Sequence, residues 1–110
     1  MKIDELGDLT VSVIIPTYNE ASNIDALIDQ LEGALHQYDH QIIVVDDSSP
    51  DGTSQIVERR AAHNSHLILL KRPCKLGLAS AVLDGFRASY GHLIAMMDAD
   101  LSHQPNQLPK

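Results

Sequence analysis

The sequence predicts an α/β fold in which a mostly parallel open sheet carries helices on both faces. Short, uniformly apolar runs alternate with longer stretches whose apolar residues recur at helical spacing. Each short run is apolar throughout rather than at every second position, as in strands buried on both faces. The 110 residues are the size of one domain, large enough to bury a real core. A polar segment, residues 1–10, is expected to precede a single domain over 11–110.

The elements follow in order. Val11 to Ile15 is a β-branched run too short for a helix, and it reads as a buried strand stopped by Pro16. Ile24, Leu27, Ile28, Leu31, Leu35 and Tyr38 then fall on one helical face, with Asp25, Asp29, Gln30 and Glu32 opposite. Ser22 followed by Asp25 offers groups for orphan amide donors at that helix start. Gln41 to Val45 is a second strand, followed by an acidic turn and a weaker helix near Ser54 to His63. His66 to Leu70 is a third strand. After a basic loop, Leu78 to Tyr90 reads as a helix with Ala79, Val82, Leu83 and Phe86 on its apolar face, ended by Gly91. Leu93 to Met97 is the fourth strand. The stretch from Gln104 to Lys110 is polar and supplies no closing element, so the domain is expected to be truncated at its C-terminus.

Composition excludes several classes. A formal net charge of −7 argues against a nucleic-acid surface, which needs a basic stripe. The apolar share of 44% and charged share of 21% are those of a globular protein. The single cysteine, Cys74, has no partner for a disulfide within the chain and makes no claim on an oxidising compartment. Residues 1–10 lack the basic start and apolar stretch of a secretory signal. No apolar run approaches the ~20 residues that span a bilayer. The chain is therefore expected to be cytoplasmic, with any membrane contact peripheral.

In open α/β sheets, ligands bind outside the carboxyl ends of the strands, where strand order reverses. The turns after the strands are thus the places to look for chemistry. The first, Pro16-Thr-Tyr-Asn-Glu20, lacks the Gly-x-Gly-x-x-Gly of a dinucleotide site, which argues against nicotinamide or flavin. Tyr18 could lie against a base or ribose, with Asn19 and Glu20 as polar contacts; equally, Pro16 could end the strand and Asn19 cap the helix. The second turn begins Asp46-Asp47, adjacent carboxylates that are costly to desolvate unless paired or hydrogen-bonded. Asp47 is assigned to a ligand, where it can accept from the imino or amino edge of a base. Asp51, inside Ser-Pro-Asp-Gly, is assigned to turn structure.

The fourth strand ends in Met97-Asp-Ala-Asp100. In an extended segment, positions two apart project to the same side, so Asp98 and Asp100 can face one hard cation with Ala99 packed away. Magnesium takes one or two carboxylates and completes its shell with phosphate oxygens and water. The basic loop, Lys71 to Gly77, could touch phosphate or simply be solvated. Of the six histidines only His103 adjoins the acidic motif; the others are read as surface residues, and no pair has zinc spacing. Cys74 is read as inert.

Val13-Ile-Ile-Pro-Thr-Tyr-Asn-Glu20, Val45-Asp-Asp-Ser-Ser-Pro-Asp-Gly-Thr53 and Met97-Asp-Ala-Asp-Leu-Ser-His103 together resemble the family 2 glycosyltransferases of GT-A fold. With Lys75-Leu-Gly-Leu78 before the last motif, the chain looks like their dolichyl-phosphate or polyprenyl-phosphate mannosyltransferase branch. The resemblance runs from about Val11 to Pro105. It implies that this is the nucleotide-binding half of that fold. It also implies that Pro16, Tyr18, Glu20, Val45 and Asp47 surround the nucleotide and that Asp98, Ala99 and Asp100 meet the diphosphate. Asp98 and Asp100 become the expected catalytic residues and the ligands of Mg2+ or Mn2+, with Ser102 as a further metal contact. Ser48 and Ala79 depart from the family pattern, standing where relatives often have glycine.

The activity implied is transfer of a sugar from a nucleotide-sugar donor, GDP-mannose, to a dolichyl or other polyprenyl phosphate. A peripheral membrane contact or a partner subunit would fit that acceptor, and no nucleic acid is expected. Two rivals stand beside it. One is a family 2 enzyme with another donor or acceptor; the other is a truncated, non-catalytic nucleotide-binding fragment.

Overall fold

The computed structural model describes residues 10–74, 76–91, 93–97 and 99. The apolar runs become four strands, β1 (Thr10–Thr17), β2 (Asp39–Asp46), β3 (Leu67–Lys71) and β4 (Leu93–Met96). The intervening stretches become three helices, α1 (Ile24–Leu35), α2 (Thr53–Ala61) and α3 (Leu78–Ala88). All three strand pairings are parallel, and the order across the sheet is β3-β2-β1-β4. The first two crossovers step outward from β1, whereas the third returns past it to place β4 on the other side. Strand order therefore reverses between β1 and β4, and the crevice above their carboxyl ends is the binding position such sheets favour.

Alternation of side chains divides the core in two. Val13, Ile15, Ile42 and Val44 face α1 and α2, where Leu27, Ile28 and Leu31 are fully buried. Ile14, Ile43 and Val45 face the other way and meet Ala81 of α3. Both faces of the central strands are covered, which is why their sequences show no polar alternation.

Four readings are corrected by the structure. Pro16 does not stop β1, which continues to Thr17. The carbonyl of Ile14 accepts from the Met97 amide and that of Thr17 accepts from the Asp47 amide. Alternate residues thus address opposite neighbours, and Pro16 turns its missing donor toward the β4 side, just past the last paired positions, Ile14 and Met96.

The buried face of α3 is also not the expected one. Ala81 and Gly85 are buried, whereas Leu83 and Phe86 are 50% and 57% exposed and Ala79 is exposed. The helix lies so close to β1 that a Cβ on Gly85 would come within 2.5 Å of Ile14 Cγ2, so only its small-residue stripe can face the sheet. The third correction concerns its end. α3 stops at Ala88 with Ser89 extended, and Gly91 lies beyond, where its bare backbone permits close approach to Thr10 and Ser12.

The fourth correction is His40, which is buried rather than at the surface. One ring nitrogen contacts the Tyr38 carbonyl at 3.0 Å, the other contacts Glu32 at 2.9 Å, and the ring stacks on His66 at 4.6 Å. Glu32 also accepts from Asn64 at 2.8 Å. Burial alone would raise the Glu32 pKa, but the bonds from Asn64 and His40 prevail and hold it below its ordinary 4.5.

Candidate functional site

The turns after β1 and β2 form one layer because side chains of the second satisfy amides of the first. Ser49 Oγ accepts from the Asn19 amide at 2.9 Å, Thr53 Oγ1 from the Glu20 amide at 3.0 Å, and Asp51 from the Ala21 amide at 3.0 Å. Asn19 and Ser48 both adopt left-handed backbone, with φ of 58° and 56°. Asparagine tolerates that region, whereas serine adopts it less readily, a cost glycine would avoid. Ser48 Oγ donates to the Pro73 carbonyl at 3.1 Å and ties this turn to the one after β3.

The adjacent carboxylates are separated by the pleat and held by different partners. Asp46 accepts from the hydroxyls of Thr17 and Ser49, each at 2.6 Å, and from the Ser49 amide at 3.0 Å. It is 1% exposed and its role is to fasten the two turns together. Asp47 lies against Arg72, accepting from Nε at 2.5 Å and from Nη2 at 2.8 Å, and it takes the Leu76 amide at 3.2 Å. Hydrogen bonding by Arg72 outweighs burial and holds the Asp47 carboxyl below its usual range. Asp51 accepts from the hydroxyl and amide of Thr53 at 2.5 and 3.1 Å, so its carboxylate caps the turn as well as reaching Ala21.

Arg72 is the residue that sequence reasoning left undeveloped. It appeared only as one cation of a basic loop, yet it is buried, and its guanidinium reaches from Asp47 to Ser80, Asp84 and the Gly77 carbonyl on α3 and its approach. The available signal was an arginine directly after an apolar strand with a carboxylate pair on the neighbouring strand end. Lys71 is exposed and lies 3.8 Å from Glu58. Lys75 is outside the described residues.

The other predicted positions fall as follows. Tyr18 is 39% exposed at the carboxyl end of β1. Glu20 is half-buried and accepts from Asn23 at 3.2 Å. Pro16 is half-buried, and Val45 is fully buried with its side chain in the α3-side core, directly below the Asp46–Asp47 pair. Met97 and Ala99 are 2% and 3% exposed and join the core that faces α1. Met97 follows β4 directly, and its amide donates to the Ile14 carbonyl of β1. Asp98, Asp100, Ser102 and His103 lie outside the described residues. Among the described residues no group of three or more histidine, cysteine or acidic side chains is placed to hold a metal. The side chains expected to bind a metal, Asp98, Asp100 and Ser102, carry hard oxygens, a chemistry that suits Mg2+ or Mn2+ better than a soft metal.

Comparison with known proteins places this fold and its strand-end turns in a family. The model of Glycosyl transferase family 2 matches residues 12–110. The chain belongs to that family. Among curated relatives, a dolichol-phosphate mannosyltransferase of Pyrococcus furiosus is 40% identical over 102 residues, covering 93% of this chain and 29% of that protein. An undecaprenyl-phosphate mannosyltransferase of Micrococcus luteus is 42% identical over 106 residues, covering 93% of this chain and 42% of the relative. The chain thus spans less than half the length of either.

Solved structures agree on the fold. A mannosyltransferase from Pyrobaculum calidifontis, in complex with GDP-Man and Mn2+, superposes with a TM-score of 0.75 at 32% identity, over 84% of this chain and 28% of that one. Glucosyl-3-phosphoglycerate synthase from Mycobacterium tuberculosis, with Mn2+, UDP-Glc and phosphoglyceric acid, gives 0.71 at 27% identity, over 99% and 41%. The family 2 chain described here has the GT-A arrangement, and the α/β reading of its sequence is borne out. No helix among the described residues is long and apolar enough to cross a membrane.

Proposed function

We propose that this chain supplies the donor-binding portion of a mannosyltransferase that moves mannose from GDP-mannose to a dolichyl or other polyprenyl phosphate. The reading is supported by the two lipid-phosphate mannosyltransferases at 40% and 42% identity and by the structural neighbour that holds GDP-Man and Mn2+. The observation that carries it in this chain is the Asp47 carboxylate. It is buried, ionised and fixed at the carboxyl edge of the sheet, where it can accept from an N–H of the base.

In this reading Tyr18 lies against the base or ribose, Pro16 and Glu20 border it, and Val45 supports the floor. Asp98 and Asp100, with Ser102 nearby and Ala99 backing them, would hold a divalent cation, Mg2+ or Mn2+, which offsets negative charge on the departing diphosphate. An acceptor phosphate oxygen forms the new bond to the anomeric carbon as the bond from that carbon to the diphosphate oxygen breaks, and the electron pair leaves with GDP. A phosphate monoester has a second pKa near ~6 and is already largely dianionic at neutral pH. Such an acceptor needs little help from a general base, and none is assigned here. A lipid acceptor implies working at a membrane surface, peripherally or through a partner subunit.

Calorimetric titration of the chain with GDP, UDP and GDP-mannose, with and without Mg2+ or Mn2+, tests this. Metal-dependent binding of the guanine ligands, lost in Asp98→Ala or Asp100→Ala, is the expected result. Preference for UDP would move the donor assignment. Absence of binding by a folded chain would refute a donor site within these residues.

A further inference from the structure

The guanidinium of Arg72 has five N–H donors, and each meets an acceptor within the protein. Nε donates to Asp47 Oδ1; Nη2 donates to Asp47 Oδ2 and to the Gly77 carbonyl at 2.9 Å. Nη1 donates to Ser80 Oγ and to Asp84 at 3.2 Å. The side chain is 5% exposed and touches the turn after β2, the loop before α3 and the first two turns of that helix. With every donor occupied, it has none left for a phosphate, so its charge serves other groups of the protein.

Those groups are arranged around one carboxylate. The paired bonds to Asp47 fix both the rotation and the plane of that carboxyl group, as only a planar fork can. Gly77, at φ 99°, lets the loop turn back so that the Leu76 amide reaches Asp47 while the Gly77 carbonyl takes Arg72. Ser80 and Asp84 hold the outer edge of the guanidinium and prevent it from swinging out. The loop, the helix start and the carboxylate are therefore tied together through one guanidinium.

We propose that Arg72, braced by Ser80 and Asp84, is the positioning residue of the base site: it presents Asp47 as a rigid, acceptor-only carboxylate to the nucleobase. This rests on the donor-site reading above, with Asp47 as the group that meets the base. A carboxylate that is fixed in rotation and stays ionised at neutral pH accepts from bases with an N–H on the facing edge, such as guanine and uracil. It repels those that present a bare ring nitrogen there, as adenine and cytosine do. Base selectivity would thus depend on a residue that never touches the ligand.

The test compares the wild-type chain with Arg72→Lys, which keeps the charge and removes the fork. Affinities for GDP and for inorganic diphosphate, both with Mn2+, are measured by calorimetry, and the Asp47 carboxyl carbon is followed by NMR as pH is lowered. Arg72→Lys should weaken GDP about tenfold, the scale of losing one charge-assisted fork, and leave diphosphate within about twofold. The Asp47 titration should move upward, and the acid limb of GDP binding should move with it. Equal losses for GDP and diphosphate would assign Arg72 to the phosphates and overturn the proposal, as would unchanged GDP affinity. If the wild-type chain binds neither ligand, the donor-site reading fails by itself. The clamp is then judged by the titration, and an unmoved Asp47 in folded Arg72→Lys overturns it. Should Arg72→Lys not fold, Ser80→Ala removes one acceptor only and should show the same pattern at about threefold.

Discussion

Replacing glycine by alanine should have opposite effects in two helices of this chain, and the difference can be worked from the geometry. Gly33 lies in α1, exposed, and an added Cβ would meet nothing within 4 Å. Alanine there gains helix propensity without a contact to oppose it, a stabilisation of about 1 kcal/mol. Gly85 lies in α3 against β1, and its added Cβ would sit 2.5 Å from Ile14 Cγ2 and 3.2 Å from Cγ1. Carbon atoms prefer about 3.5–4.0 Å, so helix and strand must separate by about an ångström. Ile14 is 1% exposed and branched at Cβ, so it cannot turn its methyl aside. Overpacking of this kind costs about 3 kcal/mol, against about 1 kcal/mol gained in propensity, which leaves Gly85→Ala about 2 kcal/mol less stable. The two variants should then differ by about 3 kcal/mol, or roughly 12–24 °C in melting temperature for a domain of this size. Urea unfolding followed by circular dichroism measures both. If Gly85→Ala proves as stable as the wild type, the close packing of α3 on β1 is wrong, and with it the explanation for which face of that helix is buried.

Other outcomes follow from the polar contacts. Thr17→Val removes a donor from the buried Asp46 carboxylate and should cost about 1–3 kcal/mol in urea unfolding; a loss under about 0.5 kcal/mol would deny Asp46 its role as the fastening of the two turns. Glu32 has its pKa depressed in the folded state, so its stabilisation is present above 4.5 and fades as pH falls through the lower folded value. Glu32→Gln should therefore be less stable at neutral pH and show a shallower loss on acidification, and parallel pH profiles would refute this. Ser48→Gly should be at least as stable as the wild type, because relief of left-handed strain of about 1 kcal/mol offsets an exposed bond to Pro73, whereas Ser48→Val should be clearly less stable. A reversed order in thermal melts would contradict the backbone conformation of that turn.

What the sequence made legible was the layer arrangement and the local chemistry of the turns. Uniform apolar runs could be read as strands because burial on both faces leaves no room for polar alternation, as Ile42 to Val45 show at 0% exposure. The turn residues could be read because Ser-Pro-Asp-Gly carries its geometry locally, and Asp51 indeed bonds Thr53 two residues on. The buried face of α3 could not be read in this way. Its larger apolar residues do form a stripe, and periodicity alone takes such a stripe for the sheet-facing side. Which stripe faces the sheet was decided by distance, and the stripe of Ala81, Gly85 and Ala88 is small enough. His40 was missed for a related reason, since its partners Glu32 and His66 come from other elements and no local spacing announces them.

Arg72 shows most clearly where local reading ends and topology begins. In sequence it is 25 residues from Asp47 and 12 from Asp84, inside a loop whose charge suggested solvent or phosphate. Parallel pairing of β2 with β3 sets Asp46 opposite Lys71, so the next residues on each strand, Asp47 and Arg72, emerge side by side. The crossover through α3 then brings Ser80 and Asp84 to the far edge of the same guanidinium. One register shift of β3 would place Lys71 or Pro73 there instead, and neither could fix the carboxylate in two places. The Asp47–Arg72 pair is thus set by strand register. On the donor-site reading proposed above, a variant that slips β3 should lose base selectivity even with every residue at the site unchanged, and pairing preserved alongside lost selectivity would point to the loop rather than the register.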